Sequence, residues 1–175
     1  MDRILGEFRD IGEPKNVILI SSTHGVNEFF SIAIPPIIPF LVSDLDITFA
    51  EAGLLLTVFF VMYSIFQLPA GILGDRVGKK RLLVGGMLGM SAGIFLAGTA
   101  QSYEMLIIAQ VITGIGGSTY HPTGMSLISD FESQETEGKA MGIFGFCGMV
   151  GTALAPLIIG GIAGFAHWRI GLSVA

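Results

Sequence analysis

Three side chains able to exchange protons or hold a ligand, His24, Glu28 and His121, fall inside otherwise apolar stretches of this 175-residue chain. His24 and Glu28 stand four residues apart, so on a helix they share one face. An ionisable group in such a stretch is costly unless it faces a cavity or a partner, and by default it marks a pathway. Asn27 next to Glu28, and Tyr120 next to His121, add hydrogen-bonding groups. At a rise of about 1.5 Å per residue, His24 lies roughly 12 Å and Glu28 roughly 18 Å from the start of their stretch, and His121 lies roughly 10 Å from the end of its own. The two imidazoles therefore sit at matching depth with the carboxylate a turn deeper. A carboxylate and two imidazoles so placed can carry protons and hold a polar or anionic molecule.

Each residue also has a structural alternative. His24 can be a polar residue near the headgroups, and Glu28 can be protonated and hydrogen-bonded to a neighbouring helix. His121 can satisfy the carbonyl that Pro122 frees by lacking an N–H. As metal ligands the three are too few and have no evident fourth, so neither a metal nor a cofactor is expected. No hydrolase or nucleotide motif accompanies them, which argues against an enzyme. The run Gly114-Ile115-Gly116-Gly117 lies within an apolar stretch with no preceding strand and is not a nucleotide loop.

The elements that must position these residues follow from composition. Mean hydropathy is +0.74, with 51% hydrophobic and 13% charged residues, against about 25% charged in soluble domains. Most of the chain does not face water. About 20 apolar residues span a bilayer, and five stretches qualify or nearly so: 16–42, 52–73, 82–99, 105–128 and 140–165. A sixth begins at Arg169. Residues 1–15 form a leader in which Ile4, Leu5, Phe8 and Ile11 share a helical face before Gly12 and Pro14, as in a helix lying on a membrane surface, with a disordered leader as the alternative. The predicted organisation is thus a leader over 1–15 and a membrane bundle over 16–175. The first stretch is too long for a cleavable signal. Pro35, Pro36 and Pro39 bend or break it near its far end. The single cysteine, Cys147, permits no disulfide within the chain.

The nine Lys and Arg residues are segregated. Arg3, Arg9, Lys15, Arg76, Lys79, Lys80, Arg81 and Lys139 fall on one side, and only Arg169 falls on the other. The positive side stays in the cytoplasm, which places the amino terminus inside a cell membrane. With no basic cluster beyond 76–81, nucleic acid is not an expected partner. Stripes of small residues (Gly85, Gly89, Gly93 and Ala97; Gly142, Gly145, Gly148 and Gly151) predict close helix packing in lipid.

The segment Gly71-Ile72-Leu73-Gly74-Asp75-Arg76-Val77-Gly78-Lys79-Lys80-Arg81, G-x-L-G-D-R-x-G-K-K-R, closely resembles the loop between helices two and three of major facilitator superfamily transporters. Gly151 to Gly161, with Pro156, Gly160 and Gly161, is similar to the G-x-x-x-G-P-x-x-G-G pattern of drug:proton antiporters in that superfamily. It departs by Ala155 in place of a glycine and by one extra residue before the glycine pair. Gln110 stands where many proton-coupled members have an arginine. Thr23-His24-Gly25-Val26-Asn27-Glu28 and Gly114 to Pro122 look like the fosmidomycin-resistance branch, with Tyr120 for the usual Phe and Thr123 where several members have Glu.

This resemblance implies an all-α membrane protein with five complete transmembrane helices and the start of a sixth, matching the amino-terminal six-helix bundle of the major facilitator fold. It implies secondary active transport by alternating access: proton-coupled export of a small polar or drug-like molecule. Glu28 would carry the proton, with His24, Asn27, Tyr120 and His121 along the path. Gly71, Asp75, Arg76, Gly78, Lys80 and Arg81 would form a conformational latch against a second six-helix half. That half is expected either in the same chain of a longer protein or in another subunit. A half-transporter working as a homo- or hetero-oligomer, or a membrane partner that does not transport, are the alternatives.

Overall fold

The computed structural model describes residues 14–174. The predicted surface helix at Ile4, Leu5, Phe8 and Ile11 lies outside the described residues. Among the described residues every regular element is helical. Helix α1 covers Pro14–Ser31 and continues through a 3-10 turn, Pro35–Ile37, into α2, Ile38–Leu45. Then come α3, Phe49–Val77, and α4, Lys79–Gly98, followed by α5, Tyr103–Ser118, and α6, Tyr120–Phe131. Helix α7, Glu137–Ala155, passes through a π turn, Pro156–Gly160, into α8, Gly161–Phe165, and α9, Trp168–Ser173, closes the described chain.

Four of these runs are long and apolar enough to cross a membrane: Pro14–Leu45, Phe49–Val77, Lys79–Gly98 and Glu137–Phe165. The stretch expected at 105–128 is present as α5 and α6, which join through Thr119, itself in right-handed helical geometry. The interruption has a local cause. Pro122 offers no N–H to the Ser118 carbonyl. Ser118, Thr119 and Thr123 turn their hydroxyls back onto the carbonyls of Ile115, Gly116 and Thr119.

The helix ends are written locally. Asp46 adopts a left-handed conformation, φ 51°, and stops α2. Thr48 then caps α3: its hydroxyl accepts from the Glu51 N–H at 3.2 Å, and its own N–H donates to the Glu51 carboxylate at 2.7 Å. The basic segment is less of a loop than its composition suggests. Residues 71–77 finish α3 and residues 79–81 begin α4, so only Gly78, at φ 97°, breaks the helix. Lys79 ties this corner to Asp130 near the end of α6.

Helix α1 packs along α7, and α5 packs against both α3 and α4. The first crossing is glycine-made: a Cβ on Gly151 would stand 1.9 Å from the Gly25 carbonyl oxygen, and one on Gly25 2.9 Å from that of Cys147. On α4 the close face is Gly86 and Gly93, not Gly85; a Cβ on Gly86 would lie 2.7 Å from the Gly116 carbonyl oxygen, whereas Gly85 faces open space. On α7, Gly142 and Gly145 are likewise open, and only Gly148 and Gly151 serve the contact. The π turn lies where the antiporter-like pattern has its extra residue, which fits i→i+5 bonding taking up one more residue than an α turn.

Two apolar clusters result. One gathers Val17, Ile20, Leu83, Tyr120, Ile128, Ala140 and Phe144. The larger gathers Phe30, Ile34, Leu55, Phe59, Ile94 and Leu106 with Ile159 and Trp168, among others. Along α1 the buried residues between them, Ser21, His24 and Asn27, are polar. A polar layer thus separates two apolar ones. Outward-facing Leu19, Leu68, Leu88 and Leu157 stay exposed, as lipid-facing side chains of a membrane bundle would be.

Candidate functional site

The polar layer is built by four spans meeting at one level. From α1, His24 is buried and Glu28 is about a quarter exposed; from α6, His121 is a third exposed. His24 Nε2 lies 3.3 Å from His121 Nε2. The nearer Glu28 oxygen, Oε1, is 3.6 Å from the first nitrogen and 3.9 Å from the second. The depth matching expected from sequence therefore brings the three residues together.

The partners of the outer ring nitrogens decide where the protons sit. His24 Nδ1 is 2.8 Å from the Phe144 carbonyl oxygen, which can only accept, so Nδ1 carries the hydrogen. Asn27 directs its NH2 at the Met90 sulfur, 3.2 Å, and the Gly117 carbonyl, 3.4 Å, leaving its oxygen to accept from the Tyr63 hydroxyl at 3.1 Å. Tyr63 thus spends its hydrogen on Asn27, and its oxygen accepts from His121 Nδ1 at 2.7 Å. In the neutral rings both Nε2 atoms therefore present lone pairs. Two nitrogen lone pairs and a carboxylate oxygen converge on one point, an arrangement that attracts a proton or another cation.

His121 does not satisfy the carbonyl freed by Pro122, since its Nδ1 is turned to Tyr63 and its Nε2 toward His24. His24 stacks on Phe144 at 3.7 Å between ring centroids and faces Tyr120 at 5.6 Å. Gly148 makes this stack possible, because a Cβ there would meet His24 Cε1 at 2.5 Å. The two other expected pathway residues stand behind the cluster. Asn27 has no exposure and anchors Tyr63. Tyr120 is equally buried, and its hydroxyl donates to the Ile20 carbonyl at 2.6 Å.

His24, Glu28 and His121 open onto a cavity of about 400 Å³ lined also by Gly145, Gly148, Met149 and Thr152. Sequence reasoning missed Tyr63 and Phe144, and it read Gly148 only as part of a packing stripe. A lone phenol inside an apolar span was a usable signal for Tyr63. Phe144 acts through its backbone oxygen and ring face, which residue type does not announce.

The other expected residues lie apart from this cavity. Asp75, Arg76, Lys80 and Arg81 are exposed at the α3–α4 corner. A Cβ on Gly71 would meet Pro122 only at ordinary contact, whereas one on Gly74 would stand 3.1 Å from a Thr123 methyl. Gly160 approaches Pro36 and Gly161 faces open space. Gln110 bonds the Leu55 carbonyl at 3.4 Å, and its own side-chain oxygen is buried without a partner. At the opposite end, Arg169 reaches Asp44 at 2.6 Å and, through two nitrogens, the Ala100 carbonyl at 3.0 and 2.9 Å.

Residues 20–175 match the model of the Major Facilitator Superfamily. The chain is 31% identical over 126 residues to a "Probable L-galactonate transporter" of Escherichia coli, covering 72% of this chain and 28% of that protein. It is also 31% identical over 136 residues to a "Probable nitrate transporter" of Staphylococcus epidermidis, covering 78% and 35%. Its fold matches a bacterial homologue of the human lysosomal transporter Spinster, in an inward-facing and unoccupied conformation, with TM-score 0.80 and 17% identity over 91% of this chain and 39% of that one. The chain thus spans about a third of the length of the curated relatives it matches.

Proposed function

The chain belongs to the Major Facilitator Superfamily, and from that premise we propose that it works within a secondary active transporter exporting a small polar or drug-like molecule in exchange for protons. Relatives in the family are transporters, and the chain is a multi-pass membrane protein. The observation that carries the reading is the convergence of His24, Glu28 and His121 at a cavity within the polar layer. Superfamily sites lie near the bilayer midplane between two halves that rock about them. Glu28 is the proton carrier, and the two imidazoles hold the polar part of the cargo. The nitrate and L-galactonate of the relatives' names are small polar species, which supports that class of cargo. The fosmidomycin-resistance branch, a cell-membrane location with the amino terminus inside, and a second six-helix half complete the proposal.

Reconstitution of the assembled carrier in vesicles with an internal pH-sensitive dye and fosmidomycin as first cargo tests it. Glu28→Gln abolishes cargo-dependent proton movement while the protein remains folded. Normal coupling in that variant defeats the assignment. The exposed Asp75 corner is the latch of the same proposal. Asp75→Ala then shifts the carrier toward inward-open states, read by cysteine labelling from both faces; equal labelling of mutant and parent rejects it.

A further inference from the structure

The convergence of lone pairs at His24, Glu28 and His121 matches the donor set of a transition-metal site, and we propose that these three residues bind one divalent ion of the zinc class. Two nitrogens on a tetrahedral zinc ion, each at a Zn–N distance of 2.0–2.1 Å, stand about 3.4 Å apart. His24 Nε2 and His121 Nε2 are 3.3 Å apart, so the nitrogen edge of the tetrahedron is already formed. Glu28 Oε1, at 3.6 and 3.9 Å, closes the third corner by moving a few tenths of an ångström. Its partly exposed side chain leaves room for that movement.

The surroundings agree with the ligands. Histidine ligands hold their ring orientation by donating the other N–H to a carbonyl or similar acceptor. His24 donates to the Phe144 carbonyl, and His121 donates to Tyr63, itself fixed by Asn27. Both rings are thereby set with Nε2 facing the ion. The fourth position opens onto the cavity beside Gly145 and Met149, where water or an anionic group of a cargo completes the coordination. A chain with only three ligands and no evident fourth looks unsuited to metal in sequence. Three protein ligands with one open position are instead the pattern of zinc sites that exchange ligands. The site rests on the transport reading for its place in a cargo cavity, and on its own geometry for its chemistry.

The test uses the full chain without a histidine tag, in detergent, with Co²⁺ as a visible probe and Zn²⁺ as competitor. The expected result is one Co²⁺ per chain with the intense visible absorption of tetrahedral coordination, displaced by Zn²⁺. Glu28→Gln and His121→Gln each weaken binding at least tenfold. Tyr63→Phe, which touches no ion, weakens it by about 10–100-fold through loss of the His121 anchor. His167→Gln, at the opposite end where His167 caps α9, leaves binding unchanged. Circular dichroism and melting confirm that the near-isosteric Glu28→Gln and Tyr63→Phe chains are folded. Absence of tetrahedral cobalt in the parent chain, or its retention in Glu28→Gln and Tyr63→Phe, overturns the proposal. Metal binding in a carrier that moves no protons would defeat the transport reading and leave the site standing; coupled transport without metal binding would do the reverse.

Discussion

Replacing Gly148 with alanine adds one methyl group at the most crowded point of the site. The new Cβ would stand 2.5 Å from His24 Cε1, 2.9 Å from His24 Nδ1 and 3.3 Å from Glu28 Cγ. The ring has nowhere to retreat, because Phe144 stacks on it at 3.7 Å with only 6° between planes. Either α7 moves away from α1 or His24 rotates and gives up its bond to the Phe144 carbonyl. Helix α7 is held close by Gly151 against Gly25, which opposes the first response. Overpacking of this kind costs about 1–3 kcal/mol, and a lost buried hydrogen bond adds about 1 kcal/mol. At about 2–4 °C per kcal/mol for a chain of this size, the melting temperature in detergent falls by roughly 4–16 °C. Gly145→Ala, three residues earlier and facing open space, is the control and changes it little. Scanning both variants by differential scanning fluorimetry is sufficient. Equal melting of Gly148→Ala and Gly145→Ala would refute the claim that this glycine exists to seat the imidazole.

Two further outcomes follow from the ends of the bundle. Gly78→Ala forces a side chain into φ 97° at the one-residue break between α3 and α4; a loss of about 1–3 kcal/mol is expected, and a melting curve matching that of Gly85→Ala would contradict it. Arg169→Lys keeps the charge but cannot serve Asp44 and the Ala100 carbonyl together, because that double contact uses the planar guanidinium fork. The variant should lose about 1 kcal/mol, a modest figure because the pair is partly exposed. Full stability in Arg169→Lys would show that charge alone suffices there.

Much of this protein was legible before any coordinates. Apolar length gave the membrane class, and three ionisable residues at related depths marked groups that the fold brings together, because lipid punishes misplaced polarity so severely that exceptions carry information. The capping box of Thr48 and Glu51, which the structure shows, needs only neighbours in sequence. Composition misled at residues 71–81. Glycine and charge suggested a loop, yet a helix whose end clears the membrane tolerates both, and only Gly78 takes a conformation that other residues avoid.

Tertiary structure decided what periodicity leaves open. Small residues can line a contact on any face of a helix, and it took the partner's position to select Gly86 over Gly85 and to leave Gly142 and Gly145 idle. The same is true of the site. His24 and Glu28 share one helix, but His121 comes from a distant part of the chain. Which nitrogens face one another depends on Phe144 and on the Tyr63–Asn27 pair, on three different spans. A sequence records which groups can donate or accept. The direction in which each imidazole offers its lone pair is a property of the packed bundle, because it is set by acceptors that meet the rings only after the helices have assembled.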